Sequence, residues 1–262
     1  MTTRVALQTF TVRRYLQSPE VIEQGFARIA ALGIKAIELA YVPLKPAVID
    51  AVDAARKRHG IDVGSSQITF DILSKQREQV LRFLRQLECD VTAVSVLPWK
   101  GIVGGRDKLL QFCRELDALG AWYREQGVAL CYHHHDFEFR RYGDEMGLDL
   151  ILNNTAPENV CLELDTYWVQ RGGGSPQELI AELGSRVKVV HLRDYRIRWK
   201  WFELLPIDTE LGQGNLNFDH IIQACCNSGV RYMAIEQATK NPYDSVAKSV
   251  QHLHALGYSH LF

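Results

Sequence analysis

The stretch Val128–Phe139, VALCYHHHDFEF, is an apolar run that ends abruptly in three histidines, an aspartate and a glutamate. Neutral imidazoles need hydrogen-bond partners and charged ones resist burial, so the end of this run is poor core material and good site material. A strand alternates its faces, which turns His133 and His135 one way and His134 the other. Glu138, just beyond the expected strand end, has a carboxylate that can curl back over the same pocket as a metal ligand or an acid/base. The stretch also reads as a surface loop with incidental histidines, and the rest of the chain has to decide between the two.

On both sides of it the sequence repeats one strand followed by one helix. Upstream, Val5–Thr11, KAIELAY (35–41), DVGSSQITF (62–70) and CDVTAVSVLPW (89–99) read as strands; downstream, Val160–Trp168, VKVVHLRDY (187–195) and RYMAIEQ (231–237) do. Helical spacing is expected at about 19–32, 45–59, 74–88, 106–126, 145–153, 176–183, 219–227 and 245–256. Ser18-Pro19 and Ser175-Pro176 supply a cap followed by an N1 proline, and Gly33 and Gly60 sit where a glycine ends a helix. Eight such units predict an α/β fold, a closed (β/α)₈ barrel occupying 1–262 as a single domain. An open doubly wound sheet lacks support, because no GxGxxG follows the first strand and polar residues recur at nearly every strand end.

Composition narrows the function. Of 262 residues, 47% are hydrophobic and 23% charged, an ordinary globular balance. The 30 Lys plus Arg nearly cancel 31 Asp plus Glu, so no overall field steers the protein toward nucleic acid. No apolar run is long enough for a membrane span or signal peptide, and a cytoplasmic location is expected. Six cysteines without a CxxC pair read as reduced, mostly buried thiols.

In a barrel the C-terminal strand ends converge on one mouth. There the strands offer Glu38, then Ser65 and Gln67, then Trp99, then His133, His135 and Glu138, and finally Asp165, His191 and Glu236. Singly, Asp165 reads as a cap and His191 as a satisfied core histidine. Together, three carboxylates and a histidine from four successive strands can surround one divalent cation.

These residues lie in segments that resemble the sugar phosphate isomerase/epimerase family of xylose isomerase-like barrels, which is similar to inosose dehydratases, ketose 3-epimerases and endonuclease IV. The segments are IELA at Glu38, YHHHDFEF at Tyr132–Phe139, LELDTYWV at Leu162–Val169, VVHLRDY at Val189–Tyr195, LGQGNLNF at Leu211–Phe218 and AIEQ at Ala234–Gln237. The resemblance implies that Glu138, Asp165, His191 and Glu236 bind one metal ion, Mn²⁺ before Mg²⁺, Co²⁺ or Zn²⁺, with His133 as the alternative ligand on its strand. The chain departs from the family pattern at His134, at Arg193 (where a lysine is common) and at Gln213 (where a glutamate is common).

The function implied is a metal-dependent isomerase or epimerase of a ketose or keto-sugar acting through an enediolate, with Glu138 and Glu236 as the acid/base pair. His133, His135, Arg193, Glu38 and Gln67 would contact the substrate, and Trp99 and Trp168 would wall it. The alternative is a dehydratase of the inosose or dehydroshikimate type. A DNA-repair endonuclease would need more histidines at the mouth and a basic groove, and a non-catalytic sugar-binding barrel would need none of the acid/base chemistry. The aromatic loop Trp199–Phe202 would suit a subunit interface or a lid, leaving a homo-oligomer open.

Overall fold

The computed structural model describes residues 3–262; Met1 and Thr2, which open the expected 1–262 domain, lie outside the described residues. Eight parallel strands form a closed barrel: β1 (Arg4–Gln8), β2 (Ala36–Ala40), β3 (Asp62–Ile68), β4 (Val91–Val94), β5 (Ala129–His133), β6 (Val160–Asp165), β7 (Val187–Leu192) and β8 (Tyr232–Ile235). Arg4 stands opposite Tyr232, which closes β1 on β8. No helix among the described residues is long and apolar enough to cross a membrane.

The two-residue alternation decides what each strand end shows to the axis. The floor of the barrel is filled by small or apolar side chains, Ala6, Ala36 and Ala234 in one group and Val91, Ala93, Cys131 and Val189 in another. One step higher the inward positions become Glu38, His133, Glu163 and His191, all buried. The outward positions pack on helices: the stripe Val80, Leu81, Phe83 and Leu84 of the helix Arg77–Gln86 is buried, each such side chain contributing about 1.5–3 kcal/mol of hydrophobic stabilisation.

Several boundaries differ from expectation. The helix expected over 74–88 is two helices, Phe70–Lys75 and Arg77–Gln86, broken at Gln76. The strand expected over 160–168 stops at Asp165, because its carboxylate accepts the N–H of Trp168 and starts the helix Thr166–Arg171. The stretch read as a loop around Trp199 is an antiparallel hairpin, Asp194–Lys200 against Glu203–Thr209. Its tip carries exposed Trp199, Trp201 and Phe202. The buried Asp194 carboxylate anchors the base by accepting the N–H groups of Gly212 (3.0 Å), Gly214 (3.0 Å), Asn215 (3.1 Å) and Leu216 (3.2 Å). A Cβ on Gly214 would lie 2.3 Å from that carboxylate, so the turn requires glycine there.

Candidate metal centre

His191 organises the mouth. Inward-facing on β7 and fully buried, it meets Glu38 from β2, Glu163 and Asp165 from β6, and Glu236 just past β8. Its Nε2 lies 2.8 Å from Glu38 Oε1, and Glu38 is held in turn by Ser65 Oγ at 2.7 Å. With Nε2 donating to that carboxylate, Nδ1 is left as the ligand atom, the arrangement in which an outer carboxylate orients a metal-binding histidine. Nδ1 lies 2.9 Å from Glu236 Oε2 and 3.8 Å from Asp165 Oδ2. Neither approach has hydrogen-bond geometry, and Nδ1 is a buried polar atom without a partner.

His133 completes the group from β5. One ligand atom each from His133, Asp165 and His191 all fall within 4.8 Å of one another. His133 Nδ1 is also buried without a hydrogen bond. Two imidazoles with unpaired Nδ1 atoms beside the carboxylates of Asp165 and Glu236 are the donor set of a divalent cation, so these residues fit one. Glu38, Glu163 and His191 form a second group of mutually close donors one layer deeper.

Electrostatics separates the two layers. Burial raises Glu163 to about 8, and the neighbouring Glu38 charge adds to the effect, so Glu163 carries a proton at neutral pH. Burial opposes ionisation of Glu38 as well, but His191 beside it wins and its carboxyl stays below the usual value. Burial likewise disfavours the charged form of His191, yet the Glu38 carboxylate at Nε2 outweighs it and holds a proton on the ring. A bound cation would displace that proton. For Asp165, burial is outweighed by the Arg193 guanidinium, which brings it down to about 2. His133 is driven well below its ordinary value, first by burial and then by His191, and is a neutral imidazole.

Glu138 is not part of this group. The turn Phe137–Phe139 carries its carboxylate to the Tyr132 hydroxyl and to the His135 N–H, 2.8 Å away. Tyr132 points outward from β5 against Phe112, so Glu138 is drawn behind the strand, away from the mouth. Burial raises it to about 7 despite both hydrogen bonds. Trp99 is also displaced: it starts the short helix Trp99–Val103, is 73% exposed, and borders a surface cleft with Phe70 and Lys75.

The other expected contacts gather at the mouth. Gln67 Nε2 donates to Glu163 Oε1 at 2.9 Å. His135 stacks on Phe137 at 5.1 Å and meets the Trp168 ring at 5.3 Å, and Trp168 Nε1 is buried without a partner. Arg193 lies 3.3 Å from Asp165 Oδ2 and 3.5 Å from Glu236 Oε1, and is gripped by both oxygens of Asp208 on the hairpin at 3.0 and 3.2 Å. Behind the strands, His134 Nε2 accepts the Asp165 N–H at 3.1 Å and so fixes the Asp165 backbone.

Sequence reasoning missed Glu163 and Asp208. The signal for Glu163 was present, because it stands two residues before Asp165 and faces the same way. Asp208 had none, since only the hairpin register, with Asp208 opposite Tyr195, brings it back to Arg193.

A family model of the xylose isomerase-like TIM barrel matches residues 26–256. The chain belongs to this family. Among curated relatives it is 28% identical over 160 residues to an inosose dehydratase of Salmonella agona, covering 55% of this chain and 52% of that protein. The chain spans about half the length, or less, of the curated relatives it matches. A sugar phosphate isomerase/epimerase from Parabacteroides distasonis superposes with a TM-score of 0.78 at 20% identity, covering 98% of this chain and 95% of that one. A xylose isomerase-like barrel from Mycobacterium smegmatis, solved with magnesium, superposes with a TM-score of 0.73 at 14% identity over 99% and 98%. At these identities the superpositions speak for the fold.

Proposed function

We propose that this protein is a divalent-metal-dependent isomerase or epimerase of a ketose or keto-sugar, working through an enediolate. The observation that carries the reading is the meeting of His133, Asp165 and His191 within 4.8 Å at the barrel mouth, with Glu236 2.9 Å from His191. These four side chains would hold the ion, with Glu38 as the outer carboxylate that orients His191. Mn²⁺ or Mg²⁺ would suit the mixed oxygen and nitrogen donors. When bound, such an ion polarises a carbonyl and its neighbouring hydroxyl and so acidifies the C–H between them.

Glu236 is the carboxylate assigned to take and return that proton. It stands at the rim, with Arg193 3.5 Å from Oε1. His135 and Trp168 form the adjacent wall, where an imidazole N–H and an indole N–H can hold substrate hydroxyls. Arg193, gripped by Asp208, holds its charge in place rather than reaching freely for a ligand.

The withdrawal of Glu138 alters the choice among reactions. Within the proposal isomerisation takes precedence over epimerisation with two carboxylates, which needs one on each face of the carbon, because the mouth offers Glu236 on one side with no Glu138 opposite it. Proton transfer on one face supports isomerisation, in which the same carboxylate moves the proton to the neighbouring carbon. It equally supports elimination of water, the second reading, which the inosose dehydratase relatives favour.

Incubation with candidate ketoses and inososes in D₂O, followed by mass spectrometry, tests the proposal. Isomerisation or epimerisation places deuterium on carbon without loss of mass; dehydration gives a product lighter by one water. Failure of every such substrate to react, together with cleavage of abasic DNA, would overturn both readings.

A further inference from the structure

Beside the charged group, on the rim formed by β1–β4, lies an apolar cavity of about 270 Å³. Phe10, Tyr41, Val42, Leu44 and Ile72 line it, and Gln67 stands at its border with the metal centre, lining the cavity while donating to Glu163. Tyr41 is 68% exposed, packs edge-on against Phe10 at 5.5 Å, and has a φ of 58°, a left-handed conformation uncommon for a bulky side chain. Strain of this kind persists where the surroundings over-determine it, and it concentrates at ligand clamps.

None of the described residues lining the cavity carries a charge. Arg13 packs on the outside of this wall, 3.9 Å over the Phe10 ring, and commits Nη1 to the Phe10 carbonyl at 2.7 Å. Arg193 is committed to Asp208 and Asp165. A phosphate entering the cavity would lose its water without gaining a cation, a cost no neutral apolar lining repays. A C–H face or methyl group would gain by burial there.

Resting on the metal-dependent reading of the neighbouring group, we infer that the cavity is a specificity subsite for the apolar, unphosphorylated end of the substrate, a deoxy or methyl-bearing carbon. The substrate class is then an unphosphorylated keto-sugar or related polyol ketone with such an end, its carbonyl lying toward His191 and its apolar end toward Leu44 and Ile72.

Calorimetry on the Mg²⁺-loaded protein with 6-deoxyfructose, fructose and fructose 6-phosphate tests this. The 6-deoxy sugar should bind at least about fivefold tighter than fructose, since its methyl group gains by burial against a mostly apolar lining, and the phosphate should bind at least about tenfold weaker. Filling the cavity with Leu44→Trp should erase the preference for the 6-deoxy sugar; Ile72→Phe, a milder filling, serves the same purpose if the first variant does not fold. Tighter binding of the phosphate, no preference between 6-deoxyfructose and fructose, a preference that survives both substitutions, or no binding of any probe would each overturn the inference. Cavity-dependent binding of 6-deoxyfructose without deuterium exchange into any ketose would support the subsite and sink the isomerase reading. Exchange without the preference would do the reverse.

Discussion

The two halves of the barrel rim differ in kind. From β5 to β8 the inward side chains are His133, Glu163, Asp165 and His191, with Glu236 and Arg193 just beyond their strands, nearly all ionisable and buried. From β1 to β4 the strand ends and the loops after them line an uncharged apolar cavity, with Glu38 and Gln67 as the points of contact between the halves. Both halves are made by the same alternation of strand and helix, so the difference comes from which side chain each strand end carries. Buried charge is tolerated on one side because each group faces an opposite charge or a ligand position; unpaired, it would cost several kcal/mol per ion. On the proposed function, one half would do the chemistry and the other would select what reaches it.

The division is broken most decisively at Glu236. Glu236→Gln keeps the size and one coordinating oxygen but removes the base, and should lower kcat by about 10²–10⁴-fold while Mn²⁺ affinity changes far less. Steady-state kinetics beside metal titration decides it; a fully active variant that binds Mn²⁺ normally would remove Glu236 from the chemistry.

A smaller effect is expected one layer down. Glu163→Gln preserves the hydrogen-bonding shape of a carboxyl that is already protonated near neutral pH, its value being about 8. Outer residues around a metal typically tune affinity by about 10–100-fold, and the neutral isostere should fall at or below the lower end of that range. Glu38→Gln, which takes the charge from the partner of His191 Nε2, should fall higher. Equal losses for the two variants, measured by Mn²⁺ titration, would show that the layers do not divide the work in this way.

Much of this contrast was legible in the sequence. The repeated helix starts at Ser18-Pro19 and Ser175-Pro176 and the apolar strands between them specify the barrel, because local capping and periodicity agree with the global fold. Asp165, His191 and Glu236 stand out in the sequence because each ends an apolar strand where a charge needs a reason, and the barrel brings the three side chains together at its mouth. Glu138, expected to curl back over the same pocket, instead meets the Tyr132 hydroxyl, which faces the helix layer, and only tertiary packing shows a carboxylate past the strand end turning outward to it. The two-residue alternation marks the inward imidazole of His133, the alternative ligand on that strand, and this ring does meet Asp165 and His191. Trp99 was misplaced for a related reason: β4 ends at Val94, and the segment after it runs outward to a new helix before tryptophan is reached.

Glu138 offers a way to separate stability from chemistry. If it pins the His135 backbone to Tyr132 and takes no part in the metal centre, Glu138→Gln should lower stability by about 1–3 kcal/mol, the usual cost of disturbing a buried hydrogen-bonded group, and leave Mn²⁺ affinity within about threefold. Thermal melting in the presence and absence of Mn²⁺ reads both. A loss of metal binding without a loss of stability would return Glu138 to the ligand set.

The smallest effect belongs to Trp99. Its ring is 73% exposed and borders a cleft lined by Phe70, Lys75 and Gln111, separate from the group around His191. Truncating an exposed side chain away from caps, networks and the site typically changes stability by no more than about 0.5 kcal/mol. Trp99→Ala should therefore leave melting temperature, Mn²⁺ affinity and kcat nearly as they are. A fall in kcat/KM of tenfold or more with the metal still bound would mean that the helix Trp99–Val103 swings in over the substrate, and that the apolar half of the rim extends further around the mouth than the strands β1–β4 alone define.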